Sequence, residues 1–247
     1  MSYDPSVAHT VEVDDLDEAI ERYKADNYRL DMIFPADHPR EALLSSEEGS
    51  VRLVCRNTAG ATRTRVTTNE WVRGRAGMEY RDLIPDRLGG KVIASHIRLN
   101  EGGPVPDYVH YHKIAFQVIY CKQGQIRVVY EDQGEPFWLE TGDLVLQPPE
   151  IRHRVLECTA GAEVIEITSP AEHETWVDHE MELPTSGIDG ERLFGERRFF
   201  RHRTNGTDAR DQLEQELVVL ASALRAATSY GEMSQIVTTF SHSLSQT

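Results

Sequence analysis

Two short stretches of the chain have residue types and spacing suited to metal chemistry. The first runs from Gly103 through His110-Tyr111-His112 and Gln117 to Gly124. Histidines at i and i+2 on a β-strand point to the same face, close enough to share one metal ion. Residues 113–116 then turn the chain, so that Gln117 is expected to open an adjacent strand on the same wall. The second stretch runs from Gly142 through Leu144-Val145-Leu146-Gln147 and Pro148-Pro149-Glu150 to His153 and Glu157. Gly142 and Pro-Pro-Glu read as turns on either side of a short buried strand. His153 begins the next strand, where it is expected to face the first histidine pair across a barrel. Three neutral imidazoles converging in this way hold a divalent transition metal on one side and leave positions open for water, dioxygen or a chelating substrate.

The elements that must position these residues are mostly strands. From about 51 to 168, short β-rich runs follow one another: VRLVCRN, TRVTTNEWV, KVIASHIRL, FQVIYCK, QIRVVYE, PFWLE, DLVLQ, HRVLE and AEVIEIT. Gly-Gly, Gln-Gly, Thr-Gly-Asp and Pro-Pro-Glu turns separate them. Many short strands with regular turns and no interleaved helices predict an all-β sandwich or barrel. Before it, residues 15–26 read as an amphipathic helix with Leu16, Ala19, Ile20 and Tyr23 on one face, and Phe34-Pro35 begins an irregular connector. Beyond Pro170 the strand rhythm stops. Residues 170–207 read as an irregular arm, and helical spacing returns in 209–227 and 231–244. Those helices are expected to pack on their own barrel or on a partner subunit. The organisation expected is an N-terminal helix and connector (1–50), a β-barrel (51–170), and an arm with C-terminal helices (171–247).

The 247 residues carry a formal net charge of −15, with 39% hydrophobic and 27% charged residues, an ordinary composition for a soluble protein. An acidic surface repels phosphate backbones, and no basic recognition helix accompanies the strands, so a nucleic-acid partner is not expected. No apolar run reaches the roughly 18 residues of a membrane span. The acidic start lacks the basic and apolar regions of a secretory signal. Cys55, Cys121 and Cys158 form a sparse set without CxxC spacing, which suits a reducing cytoplasm better than a disulfide framework.

The two histidine stretches resemble the paired signature of the cupin superfamily, G-x5-H-x-H-x(3,4)-E-x6-G and G-x5-P-x-G-x2-H-x3-N. His110, His112, the four-residue gap before Gln117 and the six-residue gap before Gly124 fit the first. Gly142, Pro148 and His153 fit the second. Gly103 stands one residue too far upstream, Gln117 replaces the usual metal-binding Glu, Glu150 replaces a turn Gly, and Glu157 replaces the final Asn. The resemblance spans about residues 70–170. It implies an all-β cupin jelly-roll barrel (a double-stranded β-helix), with the N-terminal helix and C-terminal helical extension as additions. It also implies one divalent transition metal on His110, His112 and His153, iron(II) being favoured and zinc, manganese or nickel being alternatives. With a carboxamide in place of a carboxylate, the site keeps the ion's full charge and favours anionic chelators such as enolates, carboxylates and diketonates. Gln117 is expected to orient water or substrate rather than bind the metal, because an amide oxygen competes poorly with water.

The function this implies is a non-haem iron dioxygenase acting on a small oxygen-rich or enolisable metabolite. Two alternatives stay open: a zinc, manganese or nickel isomerase, lyase or hydrolase, and a non-catalytic ligand-binding cupin. Cupins commonly dimerise, so a homodimer is expected. Other polar residues have plainer expectations. Tyr111 points away from the metal by strand parity. Tyr108 and His96 are weaker candidates for the lumen. Arg127 and Glu166 are expected outward and solvated, because an unpaired inward charge is costly. Cys121 reads as a small buried hydrophobe, and His173, His179 and His202 as surface histidines.

Overall fold

The computed structural model describes residues 9–56, 70–73, 78–204 and 211–244. The N-terminal part contributes β1 (His9–Val13), helix α1 (Leu16–Ala25), β2 (Arg29–Phe34), β3 (Glu41–Ser46) and β4 (Gly49–Cys55). The central part begins with β5 (Val72–Arg73), β6 (Glu79–Asp82), the single turn α2 (Arg87–Gly90), β7 (Ile93–Leu99), β8 (Gly103–Pro104) and β9 (His110–His112). It continues with β10 (Phe116–Gln123), β11 (Gln125–Tyr130), β12 (Phe137–Glu140), β13 (Leu144–Gln147), β14 (His153–Cys158) and β15 (Ala162–Ser169). The last part holds β16 (Thr175–Val177), β17 (Leu193–Phe194), β18 (Arg197–Arg198), β19 (Phe200–His202), α3 (Gln212–Ala226) and α4 (Tyr230–Leu244).

Two sheets face one another. One is ordered β1-β4-β3-β2-β16-β9-β14-β11-β12, with β8 beside β14, and the other β19-β13-β10-β15-β7-β6-β5. Pairing is antiparallel apart from β1 with β4. The strands form because Val, Ile and Tyr alternate between two packed surfaces. Along β10, Val118 and Tyr120 point outward, while Gln117, Ile119 and Cys121 point inward. The inward set belongs to the barrel core with Ile97, Ile126, Val128 and Val164. The outward set is covered by α3 and α4 through Leu217, Leu220, Leu224, Met233 and Val237. The terminal helices therefore pack on their own barrel, and their apolar stripes do not by themselves require a second subunit. None of the described helices is long and apolar enough to cross a membrane.

Gly124 alone connects β10 to β11. It has φ +72°, and a Cβ there would sit 2.6 Å from Thr159 Oγ1, so both conformation and space select glycine.

The structure changes the reading of two segments. Residues 29–46 form β2 and β3 where the sequence suggested a connector, and β1 and β4 extend the same sheet outward. The arm likewise carries β16, which inserts between β2 and β9, and β19, which pairs with β13. β2 and β3 are short, partly polar hairpin neighbours, and β16 and β19 are shorter still and pair with strands distant in the chain, so no local period marks either segment. Most of the expected strand TRVTTNEWV lies outside the described residues.

Candidate metal centre

His110 and His112 both point inward from β9, and both are buried. His153, at the start of β14, pairs with His110 in the strand register. Their ring centroids lie 4.3 Å apart, and the His112 ring lies 5.1 Å from His110 and 5.2 Å from His153. The three histidines offer ligand atoms that all lie within 4.8 Å of one another. A small inward adjustment would bring them to the ~2.0–2.1 Å of metal–imidazole bonds.

The ring nitrogens on the far side fix which atoms are available. His110 Nδ1 lies 2.8 Å from the Tyr108 carbonyl, and His153 Nδ1 lies 3.0 Å from the Ile151 carbonyl. A carbonyl only accepts, so each Nδ1 carries the proton and each Nε2 keeps its lone pair. His112 Nδ1 lies 2.8 Å from Thr175 Oγ1, which orients the third ring in the same manner. Two of the rings are held by carbonyl acceptors and the third by a hydroxyl, an arrangement that suits imidazoles binding a divalent transition ion. Thr175→Val removes one acceptor at nearly constant volume. Its metal affinity is expected to fall about 10–100-fold with the fold intact, as read by chelator competition. Unchanged affinity would mean that His112 is held without Thr175.

The geometry corrects the expected placement of the walls. All three histidines come from one sheet, with His153 the cross-strand neighbour of His110 rather than its opposite. Gln117 comes from the facing sheet. Its Oε1 accepts a 2.7 Å hydrogen bond from Gln147 Nε2, and Gln147 Oε1 accepts one of 2.7 Å from the buried Tyr130 hydroxyl. Gln147 Nε2 also lies 3.3 Å from His153 Nε2, toward the lone pair a metal would use. Gln117 thus sits opposite the histidines with its carbonyl oxygen already engaged.

The turn that sets His153 is Pro148-Pro149-Glu150. Glu150 has φ +60°, a left-handed conformation that costs a non-glycine residue about 1–2 kcal/mol. Its N–H donates 3.2 Å to the His112 carbonyl, and its carboxylate pairs with Lys113. Glu150 thus holds a turn conformation that glycine adopts more readily. The fold is a two-sheet, all-β barrel of the kind the cupin resemblance implies.

No protein-family model matches this sequence, and no curated protein matches it. Among solved structures, the chain is similar to an RmlC-like cupin from Shewanella frigidimarina (27% identity, TM-score 0.34, 41% of this chain and 84% of that one). It is similar to KdgF from Halomonas sp. (21% identity, TM-score 0.33, 41% and 86%). It is also similar to oxalate decarboxylase from Bacillus subtilis (19% identity, TM-score 0.31, 38% of this chain and 25% of that one).

The remaining candidates divide across the barrel. Tyr111 points away from the histidines and carries the Arg152 guanidinium 4.2 Å over its ring. Tyr108 is half-buried, with its ring edge-on to His110. His96 lies on the outer side of β7, between Arg81 at 2.7 Å and Glu163 at 2.8 Å. Arg127 pairs with Glu157 on the barrel surface. The Cys121 thiol is fully buried, and burial, followed by the charge of Asp143, pushes its pKa up to about 12, so it is inert. His179 is exposed beside Asp31, whereas His202 is buried on β19.

Three expectations fail, the surface placement of His202 being the first. Glu166 points inward and lines the lumen with Gln117 and Ile119. His173 is buried against the centre, its ring 5.3 Å from that of His112, and burial holds its pKa below the usual histidine value. Both faces of β15 are buried, so the run Val164-Ile165-Glu166-Ile167 shows no apolar–polar alternation to mark the inward side. Strand parity with Val164 is the one signal that would have placed Glu166.

Proposed function

We propose that this cupin is a metal-dependent enzyme, and specifically a non-haem iron dioxygenase acting on a small enolisable metabolite. The observation that carries the reading is the donor set: three neutral imidazoles, with Gln117 standing opposite where a carboxylate would offset the ion's charge. Such a centre favours an anionic chelating substrate. A bound iron(II) ion would supply redox chemistry and polarise the substrate's oxygen atoms. The chain supplies the rest. The lumen cavity of about 90 Å³ is walled by Leu99, Ile119, Ile126, Val128 and Val164, an apolar surround that excludes water and strengthens electrostatic contacts. Gln117, fixed through its carbonyl oxygen by Gln147, has its Nε2 hydrogens to orient substrate or water.

The inward carboxyl group of Glu166 favours a second reading, an isomerase, lyase or hydrolase in which a zinc, manganese or nickel ion acts as Lewis acid and Glu166 takes a proton. Oxygen uptake separates the two. The iron-loaded protein is expected to consume oxygen with at least one of a panel of diketones, catechols and thiols. Absence of uptake across the panel, with iron retained, would overturn the dioxygenase reading. We also propose a cytoplasmic homodimer, to be checked by light scattering.

A further inference from the structure

Beside the histidines lies a second, smaller pocket of about 40 Å³. Its walls include His112, Gln117 and Glu166, which also line the lumen, together with Asp37 and His173, which do not. Two buried atoms of these last residues, Asp37 Oδ1 and His173 Nε2, have no hydrogen-bond partner among the described residues. Buried polar atoms are normally paired, so two orphans on one small pocket mark a place built for something else.

Both orphans are acceptors. His173 Nδ1 lies 3.1 Å from the Pro170 carbonyl and donates to it, which leaves Nε2 with a lone pair in the neutral ring. Asp37 uses its other oxygen, Oδ2, to accept from Arg87 at 2.8 Å. A protonated His173 beside Asp37 would be expected to bond to it directly, and no such bond is present. The occupant must therefore bring hydrogens to both atoms.

Charge narrows the choice. Asp37 shares its Arg87 partner with Asp82, and Glu166 adds a second carboxyl group to the pocket wall, so the lining is acidic. A hydroxyl brings one proton and a water two, but neither brings charge to an acidic lining, and a guanidinium is too large for this volume. A primary ammonium carries three N–H donors and a positive charge on a group the size of a methyl. We propose that this pocket binds the ammonium group of the substrate, with Asp37 Oδ1 and His173 Nε2 accepting its hydrogens. His112 lines both cavities, so the amine lies close to the end of the substrate that reaches the histidines. The substrate class is thereby an amino-bearing chelator, a refinement that rests on the histidine centre being the reactive site.

The test separates the subsite from that centre. Saturation-transfer NMR on the metal-free full chain would use methylammonium and methanol as probes. Transfer to methylammonium but not methanol is expected, and it should disappear in Asp37→Asn and in His173→Leu. The second variant leaves the Arg87 ion pairs untouched, so it remains informative if the first folds poorly. Equal transfer to both probes, no transfer to methylammonium, or transfer surviving His173→Leu would overturn the subsite. On zinc-loaded protein, calorimetry should find β-alanine hydroxamate at least ten-fold tighter than propionohydroxamate. Equal affinities would overturn the subsite while leaving the metal centre standing. Failure of both hydroxamates alongside specific methylammonium binding would instead count against the centre alone.

Discussion

His153→Ala is expected to remove the metal while leaving the barrel folded. The loss in affinity should exceed the roughly 10–100-fold expected when only a ligand's supporting hydrogen bond is removed, because one of three donor atoms is gone. The consequence extends to stability. An ion present at a hundred times its dissociation constant stabilises the native state by about 2.7 kcal/mol. Wild-type protein should therefore melt at a lower temperature after chelation, and His153→Ala should melt at the same temperature with or without chelator. The cavity left by the imidazole borders the lumen, where Gln147 and Tyr130 already bond to each other. A chelator-sensitive melting temperature surviving in His153→Ala would show that the ion binds elsewhere.

The largest stability effect is expected from Arg87→Met. The Arg87 guanidinium bonds Asp82 at 3.1 Å and Asp37 at 2.8 Å, and all three side chains are largely buried. Burial alone lowers the arginine pKa, but Asp37 and Asp82 outweigh it and raise the pKa above its usual value. Removing the cation strands two carboxylates in a poor dielectric, at a cost of about 3–5 kcal/mol. That is a large share of the 5–15 kcal/mol that typically holds a domain together. Urea unfolding should show the loss, and adding Asp37→Asn and Asp82→Asn to the same chain should recover most of it. A loss below about 1 kcal/mol for Arg87→Met would mean that water reaches the carboxylates. The cluster also has a structural duty, since it ties the loop before β3 to the end of β6 beside the centre.

What could be read from the sequence depended on whether the information was local. The histidine spacing is local. Two residues on one strand share a face by parity, and the Gly142-to-His153 interval fixes a strand and a turn, so His110, His112 and His153 could be brought together before any coordinates. The all-β class and the three long helices followed from periodicity in the same way, to within a few residues. Wall placement was not local. Whether His153 lies beside His110 or across from it depends on the pairing of β9 with β14, separated by some forty residues. Thr175 and His173 reach the site only because β16 pairs with β9. Gln147 was not singled out, and Glu166 was expected to point outward, for another reason. The sheet that carries them is packed on both sides, by the lumen and by α3 and α4, and a strand buried on both faces loses the alternation that marks inward residues.

X-ray absorption at the metal edge, on protein purified without chelator or nickel resin, tests the account most directly. It predicts close to one divalent ion per chain, with about three imidazole nitrogens at ~2.0–2.1 Å and the remaining neighbours oxygen. A folded protein that takes up no iron, zinc, manganese or nickel, or whose ion shows no imidazole scattering, would contradict it.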